Sequence, residues 1–196
     1  GQLLHGFGAV LLNRPFVGYI LQLGFAQGIL FGNIASSPFI VQEHYGFSAF
    51  GFSLCFAANS LAIMSAAALA VRFRRQERAT LLGCRGMLLF SLATAAALAC
   101  HCGFWLYEVL VFALLFSMGI TFPATTTLAM DCTREHAGTA SALLGAVCFA
   151  FGGLVSPLVG MGDTLLSTGT VFVVCAVGSW LAFRSALHHR NRLAVA

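Results

Sequence analysis

The sequence predicts an all-α fold, an integral membrane bundle of six transmembrane helices. Of the 196 residues, 59% are hydrophobic and only 8% are charged, whereas a typical soluble domain carries about a quarter charged residues. The apolar residues also form several stretches of roughly 20 residues or more without a charge, which is long enough for a helix to cross the bilayer. A water-facing surface cannot be built from this composition, so a soluble domain is excluded.

The apolar stretches divide into six spans in chain order. We predict them at residues 16–40, 48–71, 80–100, 106–130, 137–160 and 168–187. Residues 16–187 thus form one transmembrane domain, with a cytoplasmic lead-in helix over residues 1–15 and a cytoplasmic tail over residues 188–196. Isolated Gly and Pro residues argue little against helix here, because neighbouring helices can satisfy the freed backbone groups. The chain starts at Gly1 without an initiator Met, which favours a fragment of a longer protein.

The arginines mark one side of the membrane. All ten residues counted as Lys or Arg are arginines, and each falls on the same side of the predicted spans. The largest group, between spans 2 and 3, includes Arg72, Arg74, Arg75 and Arg78. Since basic residues of short loops collect on the cytoplasmic side, we predict that both termini are cytoplasmic. The net charge of +4 is therefore a topology signal, and no nucleic-acid partner is expected.

Span 1 carries polar residues that share one helical face. At about 100° per residue, Tyr19, Gln22, Asn33 and Ser37 fall together, and Gln27 lies off this stripe. Polar groups in hydrocarbon need hydrogen bonds or water, so the face should point inward. Two interpretations stay open, the wall of a substrate cavity and hydrogen bonding between helices.

Spans 2 and 4 supply further candidate cavity residues. Asn59 is a single amide near the middle of span 2, and for such a lone residue a bond between helices is the favoured interpretation. Ser117, Thr121 and Thr125 recur at four-residue spacing in span 4, and Pro123 predicts a bend there. Because Thr hydroxyls can also bond to their own helix, the pattern agrees with a cavity without requiring one.

Span 5 has a face of small residues. Gly138, Ser141, Gly145 and Gly152 lie on one side of the predicted helix, and small residues let helix backbones approach closely. We assign this face, together with Pro123 of span 4, to helix packing or gating. A seam that moves and a static contact would use the same residues, so both interpretations stay open.

Ionisable groups are scarce within the spans. We assign the six histidines and all acidic residues to loops or positions beside loops; the acidic residues are Glu43, Glu77, Glu108, Asp131, Glu135 and Asp163. Ion-coupled transport, intramembrane proteolysis and redox chemistry need ionisable or ligating groups at depth, and haem binding needs inward pairs of His residues. We therefore expect no catalytic residue, no metal site and no cofactor, and rank an intramembrane enzyme lowest.

Five segments resemble a known family. They are residues 13–16 (NRPF), 37–39 (SPF), 45–46 (YG), 122–124 (FPA) and 137–145 (AGTASALLG). The last is the most specific. With them the chain resembles the C-terminal half of the Bcr/CflA drug-resistance branch of the major facilitator superfamily. The loop from residue 72 to 85 resembles a degenerate copy of the cytoplasmic Gly-Asp-Arg loop of that family, without its Asp.

The resemblance implies one half of a major-facilitator fold in the bacterial inner membrane. The complete carrier would have two six-helix halves around a central cavity and would exchange protons for amphipathic drugs such as bicyclomycin or chloramphenicol. Spans 1 and 4 would line the cavity, and spans 3 and 6 would face lipid. The partners would be membrane lipids, the missing N-terminal six-helix half, drug substrates and protons. The proton-carrying carboxylates are expected mainly in the missing half.

A second hypothesis is a six-helix protein without transport activity, either a membrane scaffold or an inactive truncated product. Another six spans with an embedded acid upstream of Gly1 would favour the carrier, and a start codon at that position would favour the second hypothesis. No charged anchor stands in the predicted cavity, so the sequence selects no substrate.

Overall fold

The structure, a computed structural model, describes residue 8 and residues 10–195, with side chains described as far as Arg192. Its long helices are α1 at Arg14–Pro38, α2 at Ala49–Ala70, α3 at Gln76–Ala99, α4 at Phe104–Asp131, α5 at Ala137–Leu158 and α6 at Thr164–Val195. All six are long and apolar enough to cross a membrane. The predicted all-α bundle of six transmembrane helices is therefore confirmed.

Polar side chains cap the starts of several helices. Asn13 precedes α1, and its side-chain oxygen accepts a hydrogen bond from the Phe16 backbone N–H at 3.1 Å. Ser48 caps α2 in the same way, accepting from the Gly51 N–H at 3.2 Å. Because the first turn of a helix leaves backbone donors unpaired, these residues set where the helices begin.

The C-terminal end of α1 departs from regular helix. Past Pro38 the chain continues as a π-helix, Phe39–His44, so the span is longer than the predicted one. Proline has no N–H and removes one regular helical hydrogen bond. The wider bonding that follows includes the Tyr45 N–H donating to the Ile40 carbonyl at 3.1 Å.

The two predicted terminal segments have different outcomes. Residues 1–7 and 9 of the lead-in lie outside the described residues, whereas residues 10–12 are helical. The cytoplasmic tail over residues 188–196 stays a prediction, and its residues as far as Val195 continue α6 as helix. The apolar pattern ends near residue 187, but backbone hydrogen bonding needs no apolar side chains and therefore extends further.

Helices α1 and α4 form the centre of the bundle. Helix α1 packs against α4, α5 and α6, and α4 packs against α1, α2 and α3, while α3 and α6 also contact each other. In the most apolar stretch of α1 and α4, 67% and 56% of the residues are buried, compared with 17% in both α2 and α5. Helices α2 and α5 thus lie at the two edges and leave most of their surface uncovered by this chain.

Glycines bring the central helices close together. A Cβ atom added at Gly83 of α3 would lie 2.7 Å from the carbonyl oxygen of Ser117 in α4. One added at Gly119 of α4 would lie 2.6 Å from the carbonyl oxygen of Ile63 in α2. In a membrane, where lipid is as apolar as the helices, such close packing supplies much of the attraction between them.

Contacts between loops and helix ends organise the two ends of the bundle. At one end, the Asn13 side chain donates to the Cys132 carbonyl at 2.9 Å, and Arg190 of α6 forms an ion pair with Glu77 of α3. The opposite end joins the loops after α1 and α3, where the Tyr45 hydroxyl donates to the Cys102 carbonyl at 3.0 Å. The arginines cluster at the first end.

Candidate functional site

The predicted polar stripe of α1 lies inside the bundle. Gln22 is fully buried, and its amide nitrogen donates to the Ser179 hydroxyl of α6 at 3.0 Å and contacts the Cys84 sulfur of α3 at 3.7 Å. Tyr19 is also fully buried, with its ring centre 6.3 Å from that of Phe183 in α6. This part of the stripe therefore faces α3 and α6. Hydrogen bonding between helices, one of the two interpretations left open by the sequence, fits this geometry.

The C-terminal half of the stripe is buried as well. The Ser37 hydroxyl donates to the Asn33 side-chain oxygen at 3.2 Å within α1. Asn33 and Ser37 are only 2% and 5% exposed. Neither side chain lies on an open wall of this chain.

The hydroxyl stripe of α4 contacts α3. Ser117 and Thr121 donate back to carbonyl groups of their own helix, each at 2.8 Å, and they pack on Gly83 and Gly86 of α3. Thr125 lies 3.1 Å, oxygen to oxygen, from Thr80 of α3. All three hydroxyl residues are buried, so within this chain the stripe is a contact between helices. The bend predicted at Pro123 stays a prediction, since α4 continues through it as helix.

Gln27, which lies off the predicted stripe, points in another direction. It is five residues after Gln22, or about 140° around the helix at 100° per residue. It shares a face with Ile34, seven residues later and 39% exposed. The side-chain oxygen of Gln27 is itself buried and has no hydrogen-bond partner among the described residues. This amide is thus directed away from the contact with α3 and α6.

An acid that the sequence analysis placed in or beside a loop lies near the start of a candidate membrane span. Glu108 is the fifth residue of α4, which begins at Phe104, and it is half-buried. The Asn59 amide, near the middle of α2, donates to its carboxyl oxygen at 2.9 Å. Glu108 thus lies within α4, a few residues from the loop after α3. The signal was present, because residue 108 already falls within the predicted span 106–130.

The small-residue face of α5 is mostly uncovered. A Cβ atom added at Gly138 or Gly145 would meet nothing within 4 Å, and Ser141 is exposed. Gly152 differs, because a Cβ there would lie 2.5 Å from the Phe31 ring of α1. Among these three glycines, only Gly152 thus makes a close contact within this chain, and the role of the face in helix packing or gating stays a prediction.

The predicted arginine cluster borders a shallow pocket. Arg72, Arg74, Arg75 and Arg78 line it together with Phe73, between α2 and α3. At the same end of the bundle, the guanidinium groups of Arg85 and Arg184 lie 5.9 and 5.8 Å from the ring centre of Trp180. Stacking on an indole lets arginine remain charged beside apolar surface. This end carries the cationic surface that the sequence predicted.

Comparisons with known proteins agree on one family. The model of the Major Facilitator Superfamily matches residues 2–157 of the chain. The chain is also 34% identical, over 187 residues, to an uncharacterized MFS-type transporter, YdgK, of Bacillus subtilis (strain 168). That match covers 93% of this chain and 46% of the relative. The chain therefore spans about half the length of the curated relative that it matches.

Proposed function

Because the chain belongs to the major facilitator superfamily, a class of membrane transporters and not of enzymes, we propose that it is the C-terminal half of a multidrug efflux carrier. In this proposal the carrier, of Bcr/CflA type, exports amphipathic drugs across the bacterial inner membrane in exchange for protons. Its two halves alternate access to a central cavity by rocking against each other. Lipid contacts the outer surface of the membrane-embedded helices.

The uncovered edges of the bundle carry this proposal. Helices α2 and α5 are only 17% buried in their most apolar stretches, and the small face of α5 has open space at Gly138 and Gly145. Lipid chains gain nothing from a glycine face, whereas another helix can pack against it closely. A second six-helix body on this side accounts for both features, and the matched relative has about twice the length of this chain.

The cavity residues in this proposal differ from the original stripe. We assign Gln27 of α1 to the cavity wall, because its side-chain oxygen has no partner among the described residues and the side chain points away from α3 and α6. The buried residues of the predicted cavity set hold the half together instead. They are Tyr19, Gln22, Asn33, Asn59, Ser117, Thr121 and Thr125.

Two glutamine substitutions on α1 are expected to have different effects. In the intact carrier, Gln27→Leu should reduce efflux of ethidium and chloramphenicol by roughly 2- to 10-fold, the effect of losing one hydrogen bond to substrate, with unchanged thermal stability. Gln22→Leu should lower stability by about 1 kcal/mol, because the Ser179 hydroxyl loses its partner across the helices. Efflux from energised cells and melting of the purified protein measure the two effects.

The outcome also tests the drug-export proposal. If the wild-type carrier moves neither compound, the scaffold or inactive-product alternative replaces it. If Gln22→Leu reduces efflux at wild-type stability while Gln27→Leu does not, the cavity lies on the other side of α1.

The proposed topology is tested with a native thiol. Cys100 is exposed in the loop after α3, at the end of the bundle opposite the arginine cluster. A membrane-impermeant maleimide added to intact cells should label Cys100 and lose that labelling in Cys100→Ser. A cysteine introduced as Arg75→Cys should react only after the cells are opened. The reverse pattern would place both termini outside the cytoplasm.

A further inference from the structure

Glu108 and Asn59 form a polar contact within two membrane spans. Asn59 is ten residues into α2, or about 15 Å along it at 1.5 Å per residue, and is 5% exposed. Its Nδ2 donates to Oε1 of Glu108 at 2.9 Å. Both residues belong to helices that are long and apolar enough to cross a membrane, so an acidic group stands within a candidate span. An ionisable residue within a membrane span costs free energy, so its default interpretation is a functional one.

No cation neutralises this carboxyl group among the described residues. The ion pairs found there are Arg134 with Asp131 and Arg190 with Glu77. The arginines belong to the opposite end of the bundle. A carboxylate without a counter-ion in a low-dielectric region is unstable, so that such a group favours its neutral, protonated form until water or a cation reaches it.

The neighbouring titratable groups are neutral ones. Helix α2 contributes the Cys55 thiol and α4 the Tyr107 phenol, each close enough to interact electrostatically with Glu108. The next group, Tyr45, follows α1, and burial together with its contact to Cys102 raises the pKa of this phenol above its usual value. The outer part of α3, residues 92–99, has no ionisable side chain, and Glu43 and His44 after α1 form no ion pair with Glu108. The charge of this site therefore changes through Glu108.

The Asn59 amide can serve both protonation states of its partner. Its nitrogen donates to the carboxylate, as observed, and its oxygen can accept from a protonated carboxyl after the amide turns over. This oxygen is buried and has no partner among the described residues. Asn59 therefore has one N–H donor bonded to Glu108 and an oxygen that is free to accept. With this partner the Glu108 carboxyl group can gain and lose a proton while it stays hydrogen-bonded to Asn59.

The carboxyl group also faces the side of α4 that α3 does not cover. Glu108 is nine residues before Ser117, which is about 180° around the helix at 100° per residue. Ser117 packs on Gly86 of α3, so Glu108 points away from that contact and retains partial exposure. A proton can thus reach the group from outside this six-helix half.

We propose that Glu108, positioned by Asn59, is a proton-binding site of the carrier. This inference rests on the proposed function and names the group that carries the exchanged proton. The carboxylate binds one proton from the side opposite the arginine cluster. It releases that proton on the arginine side when the carrier changes access, with no other bond made or broken.

The test uses the intact purified carrier in proteoliposomes, with ethidium as the probe. Wild-type protein should accumulate ethidium when the lumen is made acidic, and should also exchange labelled for unlabelled ethidium without a pH gradient. Glu108→Gln should lose the gradient-driven accumulation and keep the exchange, because glutamine resembles the permanently protonated acid. Glu43→Gln, exposed in the π-helix that follows α1, is the matched control and should behave as wild type.

A second variant covers the case in which Glu108→Gln fails to fold. Asn59→Ala retains the acid and removes its donor, so the pH dependence of accumulation should move to higher pH. Proton release on adding ethidium to detergent-purified protein in weak buffer gives an independent readout, which should be absent in Glu108→Gln.

Each outcome is decisive. Gradient-driven accumulation by Glu108→Gln at the wild-type rate would overturn the inference and leave the carrier function intact. Loss of exchange along with accumulation, in a properly inserted Glu108→Gln protein, would also overturn it, because Glu108 would then bind substrate. An unshifted pH dependence in Asn59→Ala would remove the positioning role. If wild-type protein shows neither activity, the proposed drug function itself fails.

Discussion

Replacing Gly119 with alanine should prevent α2 and α4 from packing as they do. The added Cβ would lie 2.6 Å from the Ile63 carbonyl oxygen and 3.0 Å from the Ile63 Cα atom. Both are backbone atoms, which cannot move aside as a side-chain tip does, so the two helices must separate. We expect a loss of about 1–3 kcal/mol in stability, the usual cost of overpacking, although alanine alone would favour helix by roughly 0.5–1 kcal/mol.

A glycine on the uncovered side of α5 provides the control. A Cβ at Gly153 meets nothing within 4 Å, so Gly153→Ala should retain or slightly raise stability. Melting of the detergent-purified variants, together with their yield from membranes, compares the two substitutions. If Gly119→Ala and Gly153→Ala have the same melting temperature, α2 and α4 are further apart than the structure shows.

The segmentation into six helices was predictable because the membrane itself imposes it. A span needs about 20 apolar residues, and that requirement is visible in composition alone. The ends were less predictable, since they depend on local groups. Pro38 leads into a π-helix, and α6 runs on through its basic end, where Arg190 pairs with Glu77. Neither feature changes the apolar pattern from which the spans were read.

For the polar face of α1, the sequence predicts that the residues point inward but not what lies beside them. Periodicity identified Tyr19, Gln22 and Asn33 as one inward face, and all three are buried. It could not distinguish a water-filled interior from one filled by α3 and α6, because both require polar groups on the same side of α1. Gln27 was set aside for lying off the stripe, although polar residues off a packed face are the ones left for a cavity.

Glu108 was overlooked for a different reason. Acidic residues were classified by their distance from loops, and position 108 is only a few residues from the loop after α3. The feature that distinguishes Glu108 is its hydrogen bond from Asn59, which lies on another helix and 49 residues earlier in the chain. A contact over that separation has no local sequence signal. Position 108 nevertheless falls inside the predicted span 106–130, and an acidic residue within a span indicates a functional site.

Replacing Gly145 with leucine should reduce export strongly without harming the fold of this chain. Nothing lies within 4 Å of a Cβ at this position, so the larger side chain fits the six-helix half as described. Gly138 and Gly152 are each seven residues away, within about 20° of Gly145 at 100° per residue, so the three share one face. If the other half of the carrier packs there, as we propose, leucine forces the halves apart in at least one conformation. A penalty of about 1–3 kcal/mol on that conformation corresponds to a roughly 5- to 150-fold loss of transport.

The matched control for Gly145→Leu is Ala150→Leu. Ala150 is also exposed on α5, but it lies about 140° around the helix from Gly145 and should face lipid. Ethidium efflux should persist in Ala150→Leu and in Gly145→Ala, whose single methyl group adds little bulk, and should be strongly reduced in Gly145→Leu at equal membrane expression. Equal melting temperatures for the two leucine variants would show that the loss arises between halves and not within this one. Wild-type efflux from Gly145→Leu would mean that the small face of α5 meets lipid, and the proposed seam would have to lie elsewhere on the uncovered surface of α2 and α5.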